Sequence, residues 1–196
     1  MLENIIVKNP KVLEYLNHLP KLILTDGDSF AKGWDGTDYD NVCEYSTSDA
    51  TVESIVKDKT TLKKYSFNIL WGETEGGTYF RETVGKLLEY QRYYTSAYVP
   101  KGFVSWHADI DIAGYYLMFS YTESGKGFFK YRDPVTGLVV KLDDSPGWMV
   151  RSGKLGTDDK EVVWHCAAAT EERYTMLIMY DDKETFDKAV RTLETT

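Results

Sequence analysis

Two histidines, an aspartate and an arginine are the residues of this sequence best placed to do chemistry. His107-Ala108-Asp109 sets an imidazole and a carboxylate two residues apart, and His165 and Arg173 follow. The chain has three histidines, at 18, 107 and 165, so two of the three fall in this set. On a β-strand, residues i and i+2 face the same side. A His-x-Asp on a strand therefore aims one nitrogen and one oxygen at a single point, and a histidine from a distant strand completes a set of three donors. Two imidazoles and a carboxylate hold three corners of an octahedron and leave three open, an arrangement that suits Fe(II) with small molecules in the free positions. The metal ligands expected are His107, Asp109 and His165, with Asp111 as the competing carboxylate.

Arg173 opens the apolar run Arg173-Tyr174-Thr175-Met176-Leu177-Ile178-Met179-Tyr180. An arginine in that position needs a partner or solvent. Its planar fork matches a carboxylate in two parallel hydrogen bonds. Glu171 and Glu172 are the nearby partners if its role is only structural.

The elements around these residues read as strands. Phe103–Ile112 alternates, and Glu161–Ala168 is β-branched and aromatic. Between them lie short apolar runs at Tyr115–Tyr121, Gly127–Tyr131, Leu138–Leu142 and Trp148–Val150. Turn signals separate them: Glu123-Ser124-Gly125, Asp133–Gly137 and Asp143–Gly147. Short strands at this spacing predict an antiparallel barrel or sandwich. Ahead of them, Pro10–Leu19 and Thr78–Gln91 read as amphipathic helices. Ser48 is the expected cap of another helix, running to about Lys57. Leu22–Leu24 reads as a short strand, and Gly27–Thr47 as a long aromatic loop. Asp181 with Glu184 reads as a capping box for a last helix at Lys183–Leu193. The expected fold is α+β with a mostly β core, a double-stranded β-helix (jelly-roll) barrel with supporting helices on one face.

Taken together, Trp106-His107-Ala108-Asp109, Pro146-Gly147 before a strand, His165, and Arg173-Tyr174 resemble the 2-oxoglutarate/Fe(II)-dependent dioxygenases. The prolyl-hydroxylase type is the nearest. The resemblance spans roughly residues 88–182. It implies Fe(II) as cofactor, 2-oxoglutarate and O2 as cosubstrates, and ascorbate as an optional reductant. It also implies that Arg173 takes the distal carboxylate of 2-oxoglutarate and that Tyr98, in Ala97-Tyr98-Val99-Pro100, contacts the same molecule. The implied reaction hydroxylates a C–H bond while 2-oxoglutarate is converted to succinate and CO2. Two departures matter. Ser120-Tyr121-Thr122 and Gly125-Lys126-Gly127 stand where the prolyl type often has Tyr-Leu-Asn and a Gly-Gly pair. Met179 stands where nucleic-acid-repair relatives carry a second arginine, which disfavours that subgroup.

Length and charge bound the rest. The 196 residues are long enough for a full core and read as one domain. Helical support is expected over about 1–91, the barrel over about 92–181 and a helix over about 182–193. A net charge of −8 with no basic block argues against nucleic acid as partner. No apolar run reaches membrane-spanning length and no signal peptide is visible. Cys43 and Cys166 make no disulfide framework, so a cytoplasmic location is expected. The expected partner is a peptide or protein carrying a prolyl residue. The alternatives are a free amino acid or other small molecule, or a non-catalytic barrel that binds a ligand. Gly27–Thr47, with Trp34 and Tyr39, is the expected lid over the barrel mouth.

Overall fold

The computed structural model describes residues 2–25, 39–58, 74–109, 112–156 and 162–196. The N-terminal part contributes β1 (Glu3–Ile5), α1 (Pro10–Thr25), α2 (Tyr39–Thr47), α3 (Asp49–Asp58) and α4 (Glu75–Phe80), the last running into a π-helical turn at Arg81–Gly85. Eight strands follow: β2 (Arg92–Tyr98), β3 (Phe103–His107), β4 (Gly114–Thr122), β5 (Gly127–Arg132), β6 (Val139–Asp143), β7 (Gly147–Leu155), β8 (His165–Ala169) and β9 (Arg173–Tyr180). The helix α5 (Lys183–Glu194) closes the chain.

The strands form two antiparallel sheets, ordered β1-β7-β4-β9-β2 and β3-β8-β5-β6. The pairings are nested: β5 with β6, β4 with β7, β3 with β8 and β2 with β9. The chain from β2 to β9 is thus one long hairpin. Rolling it up adds the β4–β9 and β5–β8 pairs and splits the strands between two facing sheets. This is a double-stranded β-helix. Nesting brings the far ends of the sequence pattern together, because each early strand meets a late one.

Alternation sorts the side chains. On β9, Tyr174, Met176, Ile178 and Tyr180 face outward and pack with Val12, Leu16 and Leu19 of α1, Phe80 of α4 and Leu193 of α5. The inward set includes Met179, which joins Tyr98, Tyr116, Met118, Phe129 and Leu155 inside the barrel. The supporting helices expected on one face are α1, α4 and α5, over the large sheet. In addition, α3 covers the outer side of the small sheet, where Val52 and Ile55 pack on Trp106 and Cys166. Lys130 pairs with Asp49 at 2.9 Å and Arg132 with Glu53 at 3.1 Å, which ties β5 to α3.

Three local expectations change. Leu22–Leu24 is helical, because α1 continues through Pro20. A proline inside a helix strands the carbonyl four residues earlier. Here that carbonyl belongs to Leu16, and the indole Nε1 of Trp148 donates to it at 2.7 Å. The second half of Gly27–Thr47 is not a loop but α2, whose Cys43 packs on Phe103 and Ala168. Residues 27–38, including Trp34, lie outside the described residues. Finally, α5 is capped by Asp182 and not by Asp181, which is held by Arg92 at 2.5 Å. The Asp182 carboxylate accepts from Thr185 N at 2.8 Å. Glu184 then falls too early in the helix to close a capping box.

Candidate metal centre

His107 and His165 face each other directly across the β3–β8 pair. How His107 comes to face inward is not a matter of simple alternation. Val104 pairs with Ala167 and His107 with His165, so β3 uses three residues where β8 uses two. The extra residue is a β-bulge, and it inverts the facing of everything after it. Val104 points into the barrel. Without the bulge, Trp106 would follow it inward and His107 would point at α3. With the bulge, Trp106 turns outward, fully buried against α3, and donates its indole N–H to Ser48 O at 2.8 Å. His107 is thereby returned to the interior.

The strand expected to run to Ile112 stops at His107. Asp109 therefore reaches the site from the turn beyond β3, not from the next pleat. Its Oδ1 is 4.0 Å from His107 Nε2 and its Oδ2 is 3.6 Å from His165 Nε2. One donor atom from each of the three residues lies within 4.8 Å of the other two. Asp111 lies outside the described residues.

Both imidazoles are held by their far nitrogen. His107 Nδ1 is 2.8 Å from Ser105 O, and His165 Nδ1 is 3.0 Å from Val163 O. A backbone carbonyl can only accept, so each Nδ1 carries the proton. Each Nε2 then presents its lone pair to the centre. This is the support that metal-ligating histidines use to fix tautomer and ring orientation. Phe129 stacks on His165, with ring centroids 5.5 Å apart and 24° between planes, and restricts that ring further. Two imidazoles and a carboxylate, converging and partly exposed, fit a divalent ion with room for other ligands.

Arg173 lies in the same cavity, with no solvent exposure. The cavity measures about 210 Å³ and is bounded by Met118, Phe129, Leu177 and Tyr94 among others. That is about seven water volumes at roughly 30 Å³ each, the scale of a five-carbon dicarboxylate and far below that of a peptide. A larger hollow of about 770 Å³ between α1 and β7 holds none of the triad.

The partner of Arg173 is neither Glu171 nor Glu172. Glu171 accepts from Ser124 and from the Lys126 N–H, and Glu172 accepts from the Tyr174 hydroxyl. Arg173 Nε donates instead to Asp144 Oδ2 at 2.7 Å. Its Nη1 reaches Thr175 Oγ1 at 2.5 Å and its Nη2 reaches Ser120 Oγ at 3.3 Å. Tyr98 is register partner to Arg173, and the guanidinium carbon sits 5.3 Å from the Tyr98 ring centroid. Burial raises the Tyr98 phenol above its ordinary pKa, against the opposing pull of Arg173. Tyr98 therefore meets Arg173 through its face as a neutral ring. Cys166 points away from the centre, and burial pushes its thiol up too, so it is inert packing.

Sequence reasoning missed Asp144, Ser120 and Thr175. Thr175 carried a signal, since it sits at i+2 from Arg173 on one strand. Asp144 carried none, because Asp143–Gly147 has the composition of a turn.

No family model matches the chain, and no curated protein matches it. Among solved structures it is similar to a Pseudomonas putida prolyl-4-hydroxylase, with 11% identity over 93% of this chain and 92% of that one and a TM-score of 0.43. A Trichoplax adhaerens prolyl hydroxylase, solved with a hypoxia inducible factor oxygen degradation domain peptide fragment, gives 11% identity over 92% and 97% and a TM-score of 0.44. The Drosophila melanogaster CENP-C cumin domain gives 11% identity over 86% and 99% and a TM-score of 0.37. The chain spans about half of OsALKBH1, 48% of its length. At these scores the likeness carries no chemistry, and the functional reading rests on the residues in the barrel mouth.

Proposed function

We propose that this chain is an Fe(II)- and 2-oxoglutarate-dependent dioxygenase that hydroxylates a C–H bond, with a prolyl residue of a peptide or protein as the expected substrate. The observation that supports this most is the convergence of His107, Asp109 and His165 in one cavity with a buried arginine. Three donors alone describe many metal sites. Three donors with a guanidinium beside them describe a site for a metal and an anion at once.

Iron bound there with 2-oxoglutarate and O2 supplies the oxidising chemistry, which ends in a hydroxylated substrate, succinate and CO2. The protein residues bind and orient. His107, Asp109 and His165 would hold the ion, with the Ser105 and Val163 carbonyls keeping both imidazoles in the ligating tautomer. Arg173 would take the distal carboxylate of 2-oxoglutarate on its Nη edge, since its Nε is committed to Asp144. The hydroxyls of Ser120 and Thr175 flank that edge and can donate to the same carboxylate. Tyr98 limits the swing of the guanidinium from one side. Met118, Phe129 and Leu177 line the cavity with apolar surface and exclude water, which strengthens each charge–charge contact inside. Tyr94, 43% exposed at the rim, is the aromatic a substrate would meet first.

The deciding experiment is succinate release from 2-oxoglutarate, anaerobic iron loading followed by air, with a proline-containing peptide library as acceptor. Iron-dependent succinate formation with a mass gain of one oxygen on a peptide supports the reading. Turnover on free amino acids alone moves the substrate class. Ligand binding with no succinate under any acceptor makes the chain a non-catalytic barrel.

A further inference from the structure

The Arg173 side of the cavity carries an unbalanced charge. Arg173 and Asp144 form a closed pair at 2.7 Å, with side chains 1% and 0% exposed. A second arginine, Arg151 of β7, approaches the other carboxylate oxygen. Its Nη1 is 3.6 Å from Asp144 Oδ1, and its side chain is 5% exposed. Its Nη2 donates to the Asp143 carbonyl at 3.2 Å. Among the described residues its Nε and Nη1 have no hydrogen-bond partner, and neither has Asp144 Oδ1. Two guanidiniums thus share one carboxylate. Among the described residues, the other groups that Arg173 and Arg151 touch, Ser120, Thr175, Met149, the Asp143 carbonyl and the Tyr98 ring, are neutral. A guanidinium keeps its proton in a protein, so the cluster holds one positive charge in excess. Such a surplus is costly to bury and is relieved by an incoming anion.

Without Arg151, the barrel would hold a neutral pair. A ligand carboxylate approaching Arg173 would meet the charge of Asp144 almost as strongly, and the two would cancel. Resting on the 2-oxoglutarate reading above, we propose that Arg151 determines specificity without touching the ligand. By balancing Asp144, it leaves the charge of Arg173 free for a second carboxylate. The cavity then selects dicarboxylic over monocarboxylic 2-oxo acids.

The test is calorimetric titration of 2-oxoglutarate and of pyruvate into anaerobic Fe(II)-loaded protein, with melting temperatures taken for every variant. Pyruvate has the 2-oxo acid group and lacks the distal carboxylate. Arg151→Gln can keep the bond to the Asp143 carbonyl and loses the charge. It should weaken 2-oxoglutarate by about tenfold or more, the scale of one charge interaction across a partly dry site, and leave pyruvate unchanged. Arg151→Lys keeps the charge and should stay within about threefold of wild type. Asp144→Asn added to Arg151→Gln removes the competing carboxylate and should restore most of the 2-oxoglutarate affinity. A merely structural arginine would not be rescued that way. If Arg151→Gln does not fold, Arg151→Met replaces it in both arms. Wild-type affinity in Arg151→Gln, equal losses for both ligands, or no rescue in the double variant overturns the proposal alone. A wild-type protein that binds iron and no dicarboxylate overturns the proposed function, and this inference with it.

Discussion

Asp109→Asn separates the ligand assignment from its nearest rival. The carboxylate is 29% exposed, and its close neighbours are the imidazole nitrogens at 3.6 and 4.0 Å. Asparagine has nearly the same volume and leaves no buried donor unsatisfied. Its cost to the metal-free protein is that of an ordinary partly exposed site, about 0.5 kcal/mol. For a chain of this size that is about 1–2 °C in melting temperature. The metal-bound protein behaves differently. An ion present at about 100 times its dissociation constant stabilises the fold by about 2.7 kcal/mol. At about 2–4 °C per kcal/mol, that raises the melting temperature by about 5–10 °C. Losing the one anionic ligand removes most of this, because two neutral imidazoles hold a divalent ion weakly. The assay is a thermal melt with and without Mn(II) under EDTA control, for wild type, Asp109→Asn and Asp111→Asn. The expected shifts are about 5–10 °C, near zero, and about 5–10 °C in that order. A full shift in Asp109→Asn, or its loss in Asp111→Asn, refutes the assignment of Asp109.

Arg173→Ala breaks the 2.7 Å bond to Asp144 but leaves that carboxylate charge-balanced by Arg151, so urea unfolding should show a loss of about 1–3 kcal/mol, the cost of one buried acceptor left unmet. A loss under about 1 kcal/mol would mean that the pair is not closed as described. Glu171 should make stability depend on acid. Its partial burial pushes its carboxyl up, the N–H groups of Lys126 and Ser124 and the Ser124 hydroxyl pull it down, and the balance lies below the ordinary glutamate value. A depressed carboxyl stabilises the fold above its unfolded pKa and loses that contribution as pH falls through the folded one. Glu171→Gln should therefore be less stable than wild type at neutral pH, with the two unfolding curves converging below about pH 4. Parallel curves across that range would sink the argument. Gly153→Ala would set a methyl 2.6 Å from the ring of Tyr116, itself 4% exposed inside the barrel. The overpacking should cost about 1–3 kcal/mol by urea unfolding. A neutral outcome would show that the barrel wall yields there.

Much of the fold was legible because the strands announce themselves in pairs. The run from Arg173 to Tyr180 is apolar but for Arg173 and Thr175, and its outward residues are large ones that pack under the helices. The inward positions Arg173 and Thr175 are the polar exceptions, which is why the arginine stood out. The C-terminal half of β7 was less legible. Trp148–Val150 is apolar, and Arg151, Ser152 and Lys154 then look like the end of a strand, yet β7 runs to Leu155. Its inward positions are occupied by Arg151 and by Gly153, which makes room for Tyr116. A buried arginine with a buried partner has the same composition as a solvated one. Only the pairing of β7 with β4 and the position of Asp144 after β6 tell them apart, and both are properties of the folded chain.

The histidine–aspartate spacing was legible for a reason that the fold only half obeys. A strict strand through Val104 to Asp109 would put Trp106 in the barrel and send His107 out to α3. The bulge between Val104 and His107 reverses this, and the strand ends before Asp109 is reached. A pattern search on His-x-Asp thus finds residues that do converge with His165 while assuming a pleat that is not there. What selects the bulge is visible only in the fold: Trp106 finds Val52, Ile55 and the Ser48 carbonyl outside the small sheet, while Ser105 supplies the carbonyl that holds His107 Nδ1. The extra residue seats a tryptophan on one side of the sheet and brings His107 to the triad on the other. Moving either side chain to the opposite face would leave an indole N–H without its acceptor and the triad without one nitrogen.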